Sequence, residues 1–308
     1  MLFRDTSSEE GILTSGDNPD GTLLYTENAE ELYEDDEVLP GKEGFFCIPI
    51  PDGTKKEDIG IDDRKMDDMT LISIPAEDPD YYYNHNLSGS KVNIKNIGFG
   101  TDNGRVIFEI HTDGVCVMTS EISDRCLYIR YDRPHDIYDR VILIDPGHGG
   151  DDSGSEAYGV REKDITLGIA QKIGNDPEKT EGIFYTRPDD STVPLKDREE
   201  YAEKLAPDML VTLHTNADGS TRITRGVEVY YNKDELKEKA GKLADELSKI
   251  SGGTEKKVQK KKQLPGFEES DIPGIYVGAG FITNKSEAEM MASQEYEEKA
   301  AKAIEEIF

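Results

Sequence analysis

The apolar positions change their period along the 308-residue chain. Between about residues 44 and 134 they come in short runs: "FFCIPI", "TLISI", "KVNIKNI", "RVIFEIHTD", "GVCVMT" and "RCLYIRY". Asp-Gly, Ser-Gly and Asn-Gly pairs bound these runs, which is turn chemistry between strands. In "RVIFEIH", Val106, Phe108 and Ile110 alternate with Ile107, Glu109 and His111, as on a half-buried strand. Residues 44–134 are therefore expected to form a small all-β domain, with His85 and His111 on its surface. "PDYYYNH" reads either as a binding surface or as a loop anchored by its tyrosines.

From about residue 139 the period lengthens. "VILI" (141–144) reads as a buried strand running into a turn. Ile165, Ile169 and Ile173 recur every four residues, a helix face. Leu195, Tyr201, Ala202 and Leu205 fit one side of a second helix. Ala240, Leu243, Leu247 and Ile250 form the apolar stripe of an amphipathic helix starting near Leu236. "GIFYTR", "DMLVTLH", "GVEVYY" and "GIYVG" read as strands between them. Ser286 and Glu289 in "SEAEMM" have capping-box spacing and are expected to open the last helix. Strands alternating with helices over 139–308 predict an α/β fold, a mostly parallel sheet flanked by helices. Lys256, Lys257, Lys260, Lys261 and Lys262 fall before the last strand. They are expected in a solvated loop, or against peptide carboxylates.

Charge and cysteine content narrow the function. The net charge is −29, which excludes a nucleic-acid binder working by phosphate neutralisation. It also argues against steering toward anionic lipid. Residues 1–43 hold six acids between Glu30 and Glu37 and few core formers, so a flexible acidic linker is expected there. Cys47, Cys116 and Cys126 show no CxxC spacing, and neither a zinc knuckle nor a disulfide framework is indicated. Cys116 and Cys126 lie in strand-like runs and read as small core residues, with pairing across two strands left open. No apolar run is long enough to span a membrane and no signal peptide is visible.

In a mostly parallel sheet, functional side chains gather at the carboxyl ends of the strands. His148 follows "VILIDPG", His214 ends "MLVTL", and Glu162 opens the helix after the first strand. Taken singly, each has a plain structural reading: a turn residue, a strand-end histidine, a helix N-terminal acid. Together they make the His/Glu donor set of catalytic zinc, which ionises water near neutral pH. The glycine-rich turn after "VILI" lacks the Gly-Lys-Ser/Thr of a phosphate loop.

These residues carry a resemblance. "VILIDPGHGGDDSG", "REKDITLGIA", "YTRPDD", "LKDREEYAEKLAPDMLVTLHTNA", "RGVEVYY" and "GFITN" together resemble the zinc-dependent N-acetylmuramoyl-L-alanine amidases of the amidase-3 type, over about residues 139–308. The resemblance implies Zn2+ held by His148, Glu162 and His214. It implies peptidoglycan as the partner and hydrolysis of the amide between N-acetylmuramic acid and L-alanine. Arg187 and Arg198 match family arginines and are expected to be structural or substrate-facing. Asn216 is expected to orient His214 or touch substrate. The β-rich region resembles the AMIN-like domains found ahead of such catalytic units. Residues 1–43 are then a spacer from a membrane anchor that this chain does not contain, and the location implied is the bacterial cell envelope.

The sequence departs from the family at one place. The last strand of the family carries Val-Glu-x-Gly-Phe, whose Glu moves protons as catalytic acid/base. Aligned on "GFITN", that Glu falls on Gly278. Loss of a general acid/base costs on the order of 10²–10⁴ in rate. The expectation is a weak amidase, one rescued by Glu228, Glu268 or Glu269, or an inactive relative kept as a wall-binding or regulatory module.

Overall fold

The structure is a computed structural model that describes residues 13–14, 25–26, 42–76, 81–85, 87–123, 125–174, 180–219, 223–252 and 255–308. The chain divides into two units, one up to Ile137 and one from Tyr138 onward. The acidic linker expected over 1–43 lies almost wholly outside the described residues.

In the first unit the alternating runs become two sheets that share one core, antiparallel except where Tyr25–Thr26 pairs in parallel with Leu87–Gly89. Strands Met69–Pro75 and Arg105–Thr112 contribute Ile72, Ile74, Val106, Phe108 and Ile110 from one sheet. Strands Phe46–Pro49 and Cys126–Asp132 contribute Phe46, Ile48, Leu127 and Ile129 from the other. The period-2 pattern of the sequence is the cause, since one face of each strand is apolar and buries itself against the opposite sheet. Cys126 is not a free core residue. It is disulfide-bonded to Cys47, Cα to Cα 6.0 Å, where the two strands pair; Cys116 is the buried free thiol. "PDYYYNH" yields a one-turn helix, Tyr81–Asn84, anchored by buried Tyr82 whose hydroxyl donates to the Pro49 carbonyl (2.8 Å).

In the second unit six strands form one mixed sheet. Their order is Glu181–Tyr185, Arg140–Pro146, Met209–Asn216, Gly274–Phe281, Val227–Tyr231, Lys256–Lys260. The first four are parallel, Val227–Tyr231 runs antiparallel to Gly274–Phe281, and Lys256–Lys260 runs parallel to Val227–Tyr231. Helices Glu162–Lys172, Lys237–Ile250 and Gln294–Glu305 pack their apolar stripes on one face, over Ile144, Val211, Val229 and Val277. The opposite face carries Asp145, Thr212, His214, Tyr276, Tyr230 and Glu228 at alternate positions.

Three local expectations are corrected. The lysine cluster is only in part a loop: Lys256–Lys260 is an edge strand, every residue exposed, and Lys261 and Lys262 follow it outside the strand. Its apolar alternation is missing because neither face is buried. The last helices are capped differently. The Asn284 side chain accepts from the amides of Ser286 and Glu287, so Ser286 lies inside the helix Lys285–Met291 rather than at its cap. In the helix Leu195–Leu205, Leu195 is 61% exposed, and Arg198 takes a place on the buried face beside Tyr201, Ala202 and Leu205.

Candidate metal centre

The strand Arg140–Pro146 ends in Asp145-Pro146 and then turns through Gly147 to His148. Gly147 is required by contact. A Cβ there would lie 2.6 and 2.7 Å from the Nε2 and Nδ1 atoms of His214 and closer still to Cε1. Only a residue without a side chain lets this loop pass over the imidazole of the neighbouring strand. His148 itself has φ of +63°, a left-handed conformation that most residues avoid.

Two buried arginines hold that turn. Arg187 donates to the carbonyls of Pro146 and Gly147, both 2.9 Å. Arg198 donates to Pro146 (2.7 Å) and His148 (2.5 Å), and pairs with Asp145 at 2.8 Å. Arg187 is fully buried and Arg198 is 2% exposed, so both guanidinium groups are spent on the loop and the core. Burial alone would raise the Asp145 carboxyl; Arg198 and the hydroxyls of Thr186 and Thr212 outweigh it and hold the pKa below its ordinary value.

Against this frame three donors converge. His148, Glu162 and His214 each bring one ligand atom to within 4.8 Å of the others. Glu162 Oε2 is 3.3 Å from His148 Nε2, and Oε1 is 3.1 Å from His214 Nδ1. The carboxylate is fixed from behind by the amides of Thr215 (2.8 Å, on Oε1) and Ser155 (2.9 Å, on Oε2). Burial alone would raise the Glu162 pKa, but the hydrogen bonds from both histidines and from Ser155 drive it far below the ordinary carboxylate range. The hydrogen bond to Glu162 raises the His148 pKa. The other ring nitrogen of His148 lies 2.8 Å from Asp152, the carboxylate–histidine arrangement that orients metal-ligating imidazoles. Two imidazoles, one buried carboxylate and a supporting acid match the donor set of three-ligand zinc sites. The cluster can hold a metal ion.

Sequence reading missed Asp152 and Tyr276. Asp152 lies four residues beyond His148 in an acidic loop, a spacing with no helix to give it meaning. Tyr276 stacks on His214, ring centroids 5.1 Å apart and planes 12° apart. Its signal was its position two residues before Gly278, on the same face of the strand.

Gly278 sits in a row that crosses the sheet. It pairs with His214 on one side and with Glu228 on the other, and Glu228 pairs in turn with Lys257. The ladder slips by one residue just beyond, where Asn216 pairs with Phe281. Asn216 folds over the gap: its amide donates to the Gly278 carbonyl (3.3 Å). Among the described residues its side chain makes no hydrogen bond to His214. Of the three substitute carboxylates considered from sequence, Glu228 alone stands in this row, accepting from the Tyr230 hydroxyl, with Lys257 Nζ 3.4 Å away. Glu268 accepts from the Gly266 amide, and the Glu269 amide donates to Glu199, in the turn after Phe267.

Comparison with known proteins agrees with this geometry. A family model described as N-acetylmuramoyl-L-alanine amidase (Amidase_3) matches residues 142–307. An uncharacterised Bacillus subtilis protein, YqiI, is 33% identical over 170 residues, 54% of this chain and 81% of YqiI. The N-acetylmuramoyl-L-alanine amidase LytC of the same organism is 30% identical over 168 residues, 53% of this chain but only 34% of LytC. Among solved structures, an N-acetylmuramoyl-L-alanine amidase from Clostridium difficile 630 superposes with a TM-score of 0.50 at 30% identity, covering 55% of this chain and 94% of that one. The family match begins at residue 142 and lies wholly within the second unit.

Proposed function

The chain belongs to the N-acetylmuramoyl-L-alanine amidase family, and from that premise we propose that it cleaves the amide between N-acetylmuramic acid and L-alanine of peptidoglycan, using zinc held by His148, Glu162 and His214. The observation that carries the reading is the convergence of these three donors within 4.8 Å, with Asp152 oriented on His148. A zinc ion there supplies Lewis acidity that polarises the scissile carbonyl and lowers the pKa of water. The protein's own part begins with a rigid, pre-set ligand frame. Arg187 and Arg198 lock the His148 loop, so no reorganisation is needed when substrate arrives.

Proton transfer is assigned to Glu228. Its place supports this: of the three carboxylates considered, it alone stands in the row of His214, one strand beyond Gly278. Glu228 takes a proton from the attacking water and returns it to the leaving α-amine of L-alanine as the C–N bond breaks. Gly278 also motivates a second reading, an amidase too slow to matter that binds wall without turning it over.

The first unit is read as the module that positions the enzyme on the wall, on the strength of its place ahead of the amidase unit and its separate two-sheet core. The Cys47–Cys126 disulfide supports an oxidising location outside the cytoplasm. The test is incubation of the full chain, with zinc, on muropeptides, reading the new L-alanine amino terminus by mass. Release that is abolished by His148→Ala and by chelation is expected. No release at any enzyme concentration, with wall still bound in a pull-down, would favour the second reading.

A further inference from the structure

The edge strand Lys256–Lys260 sorts its lysines between two faces. Lys256 pairs with Asp245, and Lys260 with Asp234 (2.8 Å), on the side of the helix Lys237–Ile250. Lys257 and Lys261 turn to the other face, the one that carries His214, by the alternation of the strand. The Lys261 amide continues the ladder, donating to the Tyr231 carbonyl at 2.8 Å. Both cations lie over the ring of Tyr230, Lys261 Nζ at 3.7 Å from its centroid and Lys257 Nζ at 5.2 Å. Lys257 is partnered by Glu228 and by the Tyr230 hydroxyl. Lys261 has no carboxylate partner among the described residues.

Lys261 is held against a buried aromatic ring and left without an acid, so its charge is available to an anionic ligand. The aromatic face fixes the ammonium in place without neutralising it. Tyr230 in turn stacks on Tyr276 (5.5 Å), and Tyr276 on His214, so a continuous aromatic floor leads from the metal centre to the two cations.

We infer that Lys261, with Lys257 and the Tyr230 ring, is a carboxylate-binding subsite for the peptide on the leaving-group side of the scissile amide. This rests on the amidase reading for its substrate, and it adds which part of the substrate is recognised. The Lys261 ammonium lies over Tyr230, whose strand is two spacings from that of His214 and which stands two residues along from the His214 row, about 12 Å in all. An extended peptide covers that span in about four residues. The subsite therefore reads the terminal carboxylate of a stem of about that length and does not engage a peptide of one or two residues. A free carboxylate on the Lys261 ammonium makes a charge-assisted hydrogen bond in a partly desolvated place.

Binding can be measured without turnover. The 308-residue chain is titrated by calorimetry with the free tetrapeptide stem, with the same peptide as its carboxy-terminal amide, and with the dipeptide. The wild-type protein is expected to bind the tetrapeptide acid about tenfold more tightly than the amide. Lys261→Gln removes that preference, and Lys260→Gln, on the opposite face, keeps it. Equal affinity of the wild-type protein for acid and amide, or an undiminished preference in Lys261→Gln, overturns the proposal. A preference that Lys260→Gln removes equally also overturns it, since diffuse charge then explains the effect. Selective binding with no hydrolysis of muropeptides counts against the amidase reading and leaves the subsite standing.

Discussion

Installing the family's glutamate by Gly278→Glu is the change that the sequence invites and the structure resists. A Cβ at residue 278 would meet Asn216, 2.7 Å from Cγ and 2.9 Å from Nδ2, and closer still to Oδ1. Asn216 is 8% exposed and bonded to the Gly278 carbonyl, so its side chain has to leave a buried place and lose that bond. Overpacking of this kind costs about 1–3 kcal/mol. In a unit of this size that lowers Tm by about 2–12 °C. The double variant Asn216→Ala/Gly278→Glu removes the clash and recovers most of the loss. If the new carboxylate then reaches the reacting atoms, turnover rises by about 10²–10⁴ over the wild-type protein. Differential scanning calorimetry and muropeptide release by mass spectrometry measure the two effects. A Gly278→Glu protein that melts at the wild-type temperature, or a double variant less stable than the single one, refutes the packing argument.

Three further outcomes follow from residues already placed. Glu228→Gln is expected to lower kcat by about 10²–10⁴ with zinc content unchanged; an unchanged kcat removes Glu228 from proton transfer. Arg198→Met strips the partner from a buried carboxylate at Asp145, a loss of about 3–5 kcal/mol in denaturant melts. Because the folded Asp145 pKa is depressed, its stabilisation is complete above the unfolded value of 3.8 and fades as pH falls below it, and acid titration of the melt shows whether Arg198→Met flattens that slope. Cys47→Ser opens a cross-link spanning 79 residues, which the chain-entropy account values at about 4.5 kcal/mol. The first unit should then melt earlier and the second unit should not.

Most of the α/β unit was legible because its signals are local. Ile165, Ile169 and Ile173 mark a helix by spacing alone, and all three are buried. The two histidines and Glu162 were legible because parallel strands deliver their carboxyl ends to one edge. What was hidden depends on neighbours distant in sequence. The lysine strand is held by backbone pairing to Val227–Tyr231 and by acids on a helix, so its own alternation says nothing about burial. Cys126 meets Cys47 only because two strands pair in a particular register. Asn284, not Ser286, caps its helix because the chain leaves Phe281 in a turn whose geometry brings the asparagine oxygen to the free amides. The occupation of the Gly278 gap by Asn216 follows from a one-residue slip in the ladder, which no motif records.

The metal centre is tested most directly by zinc stoichiometry. The 308-residue chain is stripped with chelator, reloaded, desalted and assayed by atomic emission beside His148→Ala, Glu162→Gln and His214→Ala. The expected result is one tightly held zinc per wild-type chain and loss of that zinc in each variant, with circular dichroism unchanged. Wild-type protein that retains no zinc, or variants that retain it as the wild type does, would contradict it.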